Sequence, residues 1–303
     1  MLWLIICIFV AIIWSFSAFI DNYTTDVIFR GKKPQSMKIF NGFSYLIFAV
    51  IVLLVFGVEE IAIKDIGLLL LSGVAASLSS IPYYLALKEE EATTAAIFYQ
   101  LIPVVYLLAD WLLFGQTITS LQLIAFIIIL LAPVVIVFSR KRPRSRRVEF
   151  SVALLLILFV IINATSGMLS THVGEHYDYS SVFFYFLIGR GVSDIVLYAT
   201  HKDWQQRMKY IWRRKRGKFI LAEGINQIIC IIADFLSRYA LIIGIASLVS
   251  VTYNVLELIF TFVLGLILSI IWPKFGREKL DRHVVLAHLI AVILATIGII
   301  LIQ

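Results

Sequence analysis

Residues 84–114 read YLALKEEEATTAAIFYQLIPVVYLLADWLLF, and residues 238–268 read RYALIIGIASLVSVTYNVLELIFTFVLGLIL. Laid over each other, Ala86 falls on Ala240, Leu87 on Leu241, Ala92 on Ala246 and Tyr99 on Tyr253. Polar Gln100 falls on polar Asn254. The doubling continues on both sides at slightly different spacing. Trp14-Ser15-Phe16-Ser17 lies over Asn163-Ala164-Thr165-Ser166, and Leu123-Ile124-Ala125 over Val285-Leu286-Ala287. Many carriers are built from a duplicated membrane unit, with the binding site at the seam between the copies.

Composition places the chain in a bilayer. It is 61% hydrophobic and 15% charged, with a mean hydropathy of +0.97, whereas soluble domains are about half apolar and about a quarter charged. The segment from Leu2 is apolar with no basic residue before it, which reads as a retained first helix rather than a cleaved signal. Cys7 and Cys230 both lie inside apolar runs and read as packing residues. Neither a disulfide framework nor a metal site is expected, and no cofactor is implied.

A helix needs about 20 apolar residues to cross the hydrocarbon core. Ten stretches qualify: 2–24, 36–56, 66–87, 93–114, 120–138, 150–173, 180–200, 218–243, 246–271 and 283–302. The expected fold is an all-α integral membrane protein with ten transmembrane helices in two five-helix repeats, 1–139 and 150–303. An odd number of spans per copy forces the copies to run in opposite directions. Residues 140–149, with the run RKRPRSRR, form a basic linker between them.

Charge sets the orientation. The loops after helices 1, 5, 7 and 9 are basic (30–38, 140–147, 202–218 and 274–282), while the loops after helices 2, 4, 6 and 8 hold only Lys64 as a basic residue. Basic loops stay in the cytoplasm, so both termini are expected outside a cell membrane. The pI of 9.4 follows from these loops, whose expected partners are anionic lipids and not nucleic acid. Within 201–218, Trp204, Tyr210, Ile211 and Trp212 stand among Lys and Arg. They form either a short helix on the inner membrane face or an irregular loop.

The segment Tyr84–Phe138 combines an Ala-Leu near a helix end, small residues at Ala92–Ala96 and a proline, Pro103, inside a helix. A Phe114-Gly115-Gln116-Thr117-Ile118 turn and a last apolar helix follow. The second copy has Ala246-Ser247, Gly276-Arg277-Glu278-Lys279-Leu280 and a closing Leu286–Leu301 helix. This pattern resembles the EamA repeat of the drug/metabolite transporter superfamily. The resemblance implies a ten-helix secondary carrier of small organic molecules, with helices 1–4 and 6–9 around a central cavity and 5 and 10 to one side. The chain departs from the pattern in two ways. Glu257 stands where the first copy has Pro103, and the charge bias puts the termini outside, whereas better-known members keep them inside.

Ionisable groups at membrane depth are costly and are candidates for function. Counted from Ala246 at 1.5 Å per residue, Glu257 lies roughly 16 Å into a core about 30 Å thick. No cation neighbours it on its helix, so it is a candidate for proton exchange or for a cationic substrate. Arg190 and Asp194, and likewise Asp234 and Arg238, are spaced to pair at i,i+4. They are either structural pairs, joined as a network pinning helices 7 and 8, or a site in which an arginine holds a carboxylate or phosphate. Trp14, Tyr99, Gln100, Asn163, Tyr253 and Asn254 form an expected aromatic and amide lining. It is suited either to a small polar ligand or to hydrogen bonding between helices. Pro103 is a candidate hinge, because it removes one backbone hydrogen bond.

No Gly-rich phosphate loop, H-E-x-x-H or G-x-S-x-G is present, so an enzyme is not expected. The expected function is secondary active transport by alternating access, with protons as a candidate coupling ion. The cargo is a small polar metabolite such as an amino acid or a small organic ion. The alternatives are a carrier or flippase for lipid-linked head groups with the same fold, and a non-transporting membrane scaffold or sensor. A monomer and a homodimer are equally compatible with the sequence.

Overall fold

The structure, a computed structural model, describes residues 2–87, 95, 98–114, 119–139, 150–244, 246–272 and 282–302. Its helices are α1 (Leu2–Tyr23), α2 (Lys38–Phe56), α3 (Ile63–Leu87), α4 (Ile102–Phe114), α5 (Ser120–Ser139), α6 (Phe150–Gly174), α7 (Tyr179–Thr200), α8 (Lys202–Ile243), α9 (Ala246–Ile271) and α10 (Arg282–Ile302). There is no strand among the described residues. The stretches built on α1, α2, α3, α6, α7, α8 and α9 are long and apolar enough to cross a membrane. Large apolar side chains such as Phe9, Leu54, Ile127, Ile225 and Ile270 face outward, while polar residues such as Ser15, Asn41, Ser72, Asn226 and Asn254 are buried. This is the arrangement that a lipid solvent favours, since lipid satisfies no polar group.

The most extensive packing joins helices of the first half to helices of the second: α3 to α6, α2 to α7, α3 to α7, α5 to α10, α1 to α9 and α1 to α8. Small residues make the closest crossings possible. A Cβ added at Gly73 of α3 would collide with the backbone of Phe186 and Arg190 on α7, and one at Gly189 with the backbone of Leu70. On the other side of α7, a Cβ at Gly42 of α2 would sit 2.9 Å from the Gly191 carbonyl. Helices in lipid associate through such close backbone approach. Arg190, between Gly189 and Gly191, is thereby held at the point where α2, α3 and α7 meet.

α1 continues into a π-helical turn, Thr24–Ile28. The chain then reverses through Arg30, Gly31 and Lys33, all at positive φ, into a 3₁₀ turn at Pro34–Met37. Basic side chains of α8 take the carbonyls left over there. Lys215 Nζ donates to Val27 O and Ile28 O, each at 2.6 Å, and Arg207 donates to Lys32 O at 3.1 Å and to Phe29 O.

Of the two readings left open for 201–218, the helix is the one found: residues 202–214 are helical and join the following span through a kink at Lys215 (φ −138°, ψ 18°). Two expectations are revised. Lys38, read from the charge run as part of a cytoplasmic loop, is the buried first residue of α2. The helix expected over 93–114 has a turn at Gln100–Leu101, so Pro103 lies in the first turn of α4 and not in mid-helix. Proline suits that position, where its missing N–H would have no helical partner. The basic runs 140–147 and 274–280 and the 140–149 linker lie outside the described residues.

Candidate functional site

A central cavity of about 150 Å³ lies among α1, α2, α3, α4, α6, α7, α8 and α9. Trp14, Tyr99, Asn163, Arg190, Asp194, Asp234, Arg238, Tyr253, Asn254 and Glu257 all line it. Gln100 does not. It is buried beside the cavity, and its Nε2 donates to the backbone carbonyl of Asn254 at 2.7 Å. Pro103 is likewise absent from the lining.

The expected i,i+4 pairs give way to pairs between helices. Arg190 Nη1 donates to Asp234 Oδ2, joining α7 to α8, and its guanidinium lies 4.3 Å from the Tyr45 ring centroid. Asp194 instead accepts from Lys38 Nζ at 2.5 Å. Lys38 also donates to Ser77 O at 2.7 Å, Ser80 Oγ at 2.9 Å and Ser77 Oγ at 3.2 Å. A buried ammonium with four oxygen acceptors is well satisfied, which a buried charge requires. Arg238 reaches α6, donating to Ser170 Oγ at 2.5 Å and Ser166 Oγ at 3.0 Å. It stacks on Phe186 with 3.6 Å to the centroid.

Glu257 is in a different position. It is buried on α9 and lines the cavity. Its backbone carbonyl accepts from Ser15 Oγ at 3.1 Å, which fixes α9 against α1. Its carboxylate makes no hydrogen bond or ion pair with any described residue. The wall near it is aromatic. Tyr99 packs on Phe159 at 4.9 Å between centroids, and Tyr83 lies 5.6 Å from Phe159 and 6.1 Å from Tyr99. Aromatic faces beside an unpartnered carboxylate are suited to a cation.

Sequence reasoning missed a second acidic group. Asp21 of α1 lines the cavity and accepts from Asn226 Nδ2 at 2.9 Å, Tyr83 OH at 3.2 Å and Tyr84 OH at 3.4 Å. Glu223 of α8 is fully buried nearby. Both lie near helix ends in the sequence, where an acid ordinarily reads as solvated. The available signal was spacing, because Glu223, Asn226, Gln227 and Cys230 recur on one face of α8.

Helices with a lipid-facing apolar exterior around a polar cavity define a multi-pass membrane protein with an internal polar space. Residues 1–138 match the model of the EamA-like transporter family. Over that stretch, a little under half of its length, the chain is similar to EamA-like transporters, and the match supports membership of the drug/metabolite transporter superfamily, whose members are generally transporters. No curated protein matches the chain in sequence. A crystal structure described only as that of a protein is similar to it in fold, with a TM-score of 0.55 and 15% identity over 96% of this chain and 95% of the other.

Proposed function

We propose that the protein is a secondary active carrier that moves a small metabolite bearing an ammonium group, an amino acid or a small organic cation, through the central cavity by alternating access. The observation that carries this is the Glu257 carboxylate, which lines the cavity with no partner among the described residues. The Lys38–Asp194 and Arg190–Asp234 charges are already matched. Glu257 therefore offers the ammonium its counter-charge, and Arg238 stands on the same cavity for a carboxylate. In exchange for cargo, Glu257 takes up a proton, which couples transport to pH.

The two-repeat plan supports alternating access. If α1–α5 correspond to α6–α10, the α3–α6 crossing corresponds to the α8–α1 crossing, and α1–α9 to α6–α4, and all four occur. The proposed topology keeps the basic segments in the cytoplasm and both termini outside the cell membrane. The flippase alternative needs a lateral opening into the cavity. A groove lined by Phe43, Trp212 and Arg213 lies at the inner end of α2, but it shares no lining residue with the cavity.

The test is reconstitution in vesicles with an internal pH-sensitive dye and a panel of amino acids and organic cations. The intact protein is expected to give a substrate-dependent dye response. Glu257→Gln should remain folded and lose it. Unchanged transport with unchanged pH dependence in that variant would exclude the proposal.

A further inference from the structure

Side-chain oxygens without partners collect between α1 and α8, next to the cavity. Gln227 lies one helical turn after Glu223, and its Nε2 donates to Glu223 Oε1 at 3.2 Å. The second carboxylate oxygen, Glu223 Oε2, and the amide oxygen, Gln227 Oε1, are buried with no hydrogen-bond partner among the described residues. The Thr24 hydroxyl, also buried, stands within reach of the same carboxylate as a donor but without formed hydrogen-bond geometry. Glu223 and Thr24 have 0% of their surface exposed, and Gln227 has 4%. Solvent therefore does not satisfy these atoms from outside, and a buried acceptor left without a partner costs about 1–3 kcal/mol.

The charge count defines the missing partner. Asp21, the nearest acid, already takes three donors from Tyr83, Tyr84 and Asn226. No described Lys or Arg donates to Glu223. Arg190, which lines the same cavity, is bound to Asp234. Asp21 and Glu223 thus stand together with no described cationic side chain bound to either, and only Asp21 is wrapped by three neutral donors. Oxygen-only ligand sets select hard cations over transition metals, and with the Asp21 oxygens already held by three donors, Glu223 is the one carboxylate left free to ligate, which suits a monovalent ion. At Thr24 the backbone of α1 changes to π register, a distortion common at functional sites.

We propose that Glu223, Gln227 and Thr24 hold a dehydrated alkali cation, sodium, bridging α1 and α8 at the edge of the cavity. Asp21 and Gln227 line that cavity, which gives the ion its path. Occupancy of the site is independent of the carrier reading, and only a role as coupling ion rests on it.

The experiment is thermal unfolding of the purified full-length protein in detergent, titrated with sodium chloride against choline chloride at matched ionic strength. A ligand that binds only the folded state raises the unfolding midpoint in a saturable way. Sodium is expected to do so and choline is not. Glu223→Gln should weaken the apparent sodium affinity by about tenfold or more. Gln227→Leu and Thr24→Val, which remove neutral ligands, serve if the first variant does not fold. Equal responses to sodium and choline would overturn the proposal. So would a sodium response unchanged in all three variants, or a midpoint that follows pH and not sodium, which would assign a proton to Glu223. The readout is stability, so it stands whether or not transport of any metabolite is found.

Discussion

Gln100 donates to the main chain of Asn254 across 154 residues of sequence, and 154 is also the offset at which the two halves of the sequence align. Residues that the alignment of the two halves pairs therefore touch beside the cavity, as the proposed inverted repeat expects. A two-fold relation between inverted halves produces such meetings near its axis, and unrelated segments have no reason to. In a cysteine-free background, Gln100→Cys with Asn254→Cys should be joined by a short bifunctional thiol reagent. Cleavage at a site-specific protease sequence inserted within 140–147 should then leave the two halves as one band on a denaturing gel. Separation into two bands would count against this contact.

The Lys38–Asp194 pair is buried on both sides, with side-chain exposures of 1% and 3%. Lys38→Met strands a carboxylate in the interior and should cost about 3–5 kcal/mol. Asp194→Leu alone should be as harmful. The double variant should regain most of the thermal stability, because replacing a buried pair with apolar groups is often nearly neutral. Unfolding midpoints of the four proteins decide this, and a double variant as unstable as the singles would disprove it.

Gly73 and Gly189 lie where α3 and α7 touch through their backbones. Gly73→Val or Gly189→Val should lower stability by about 1–3 kcal/mol or more, since backbone cannot give way as a side chain can. Gly67→Ala on α3 and Gly224→Ala on α8 meet nothing within 4 Å and should be tolerated. Folded yield by size exclusion is the measurement.

The proposed topology makes opposite ends of α2 accessible from opposite sides. Lys32→Cys should react with an impermeant thiol reagent only from the cytoplasmic side, and Glu60→Cys only from outside. The reverse pattern would invert the orientation.

Span positions were legible because lipid imposes one rule on every residue of a span, and the ends of α2, α7 and α9 fall within two residues of those expected. Most of the candidate lining was legible too, since a polar residue in mid-span has few places to point other than inward. Pairing was not. Arg190 and Asp194 are spaced to meet along one helix, yet each turns to a neighbour, Asp234 and Lys38, because crossings between helices decide which charges come close. Lys38 was misread for a related reason. Charge runs report average exposure, and one member of such a run can be drawn inward when an acid and two serines wait for it.

The crossings between halves bear on how the protein is made. α2 has its main partner in α7, and α5 in α10, so these early helices leave the ribosome well before the surfaces they pack on exist. The nascent N-terminal half must wait in the bilayer with its polar faces uncovered. Insertion factors that shield such faces would find their longest task here, and a chain stopped after α5 would be a substrate for membrane proteases.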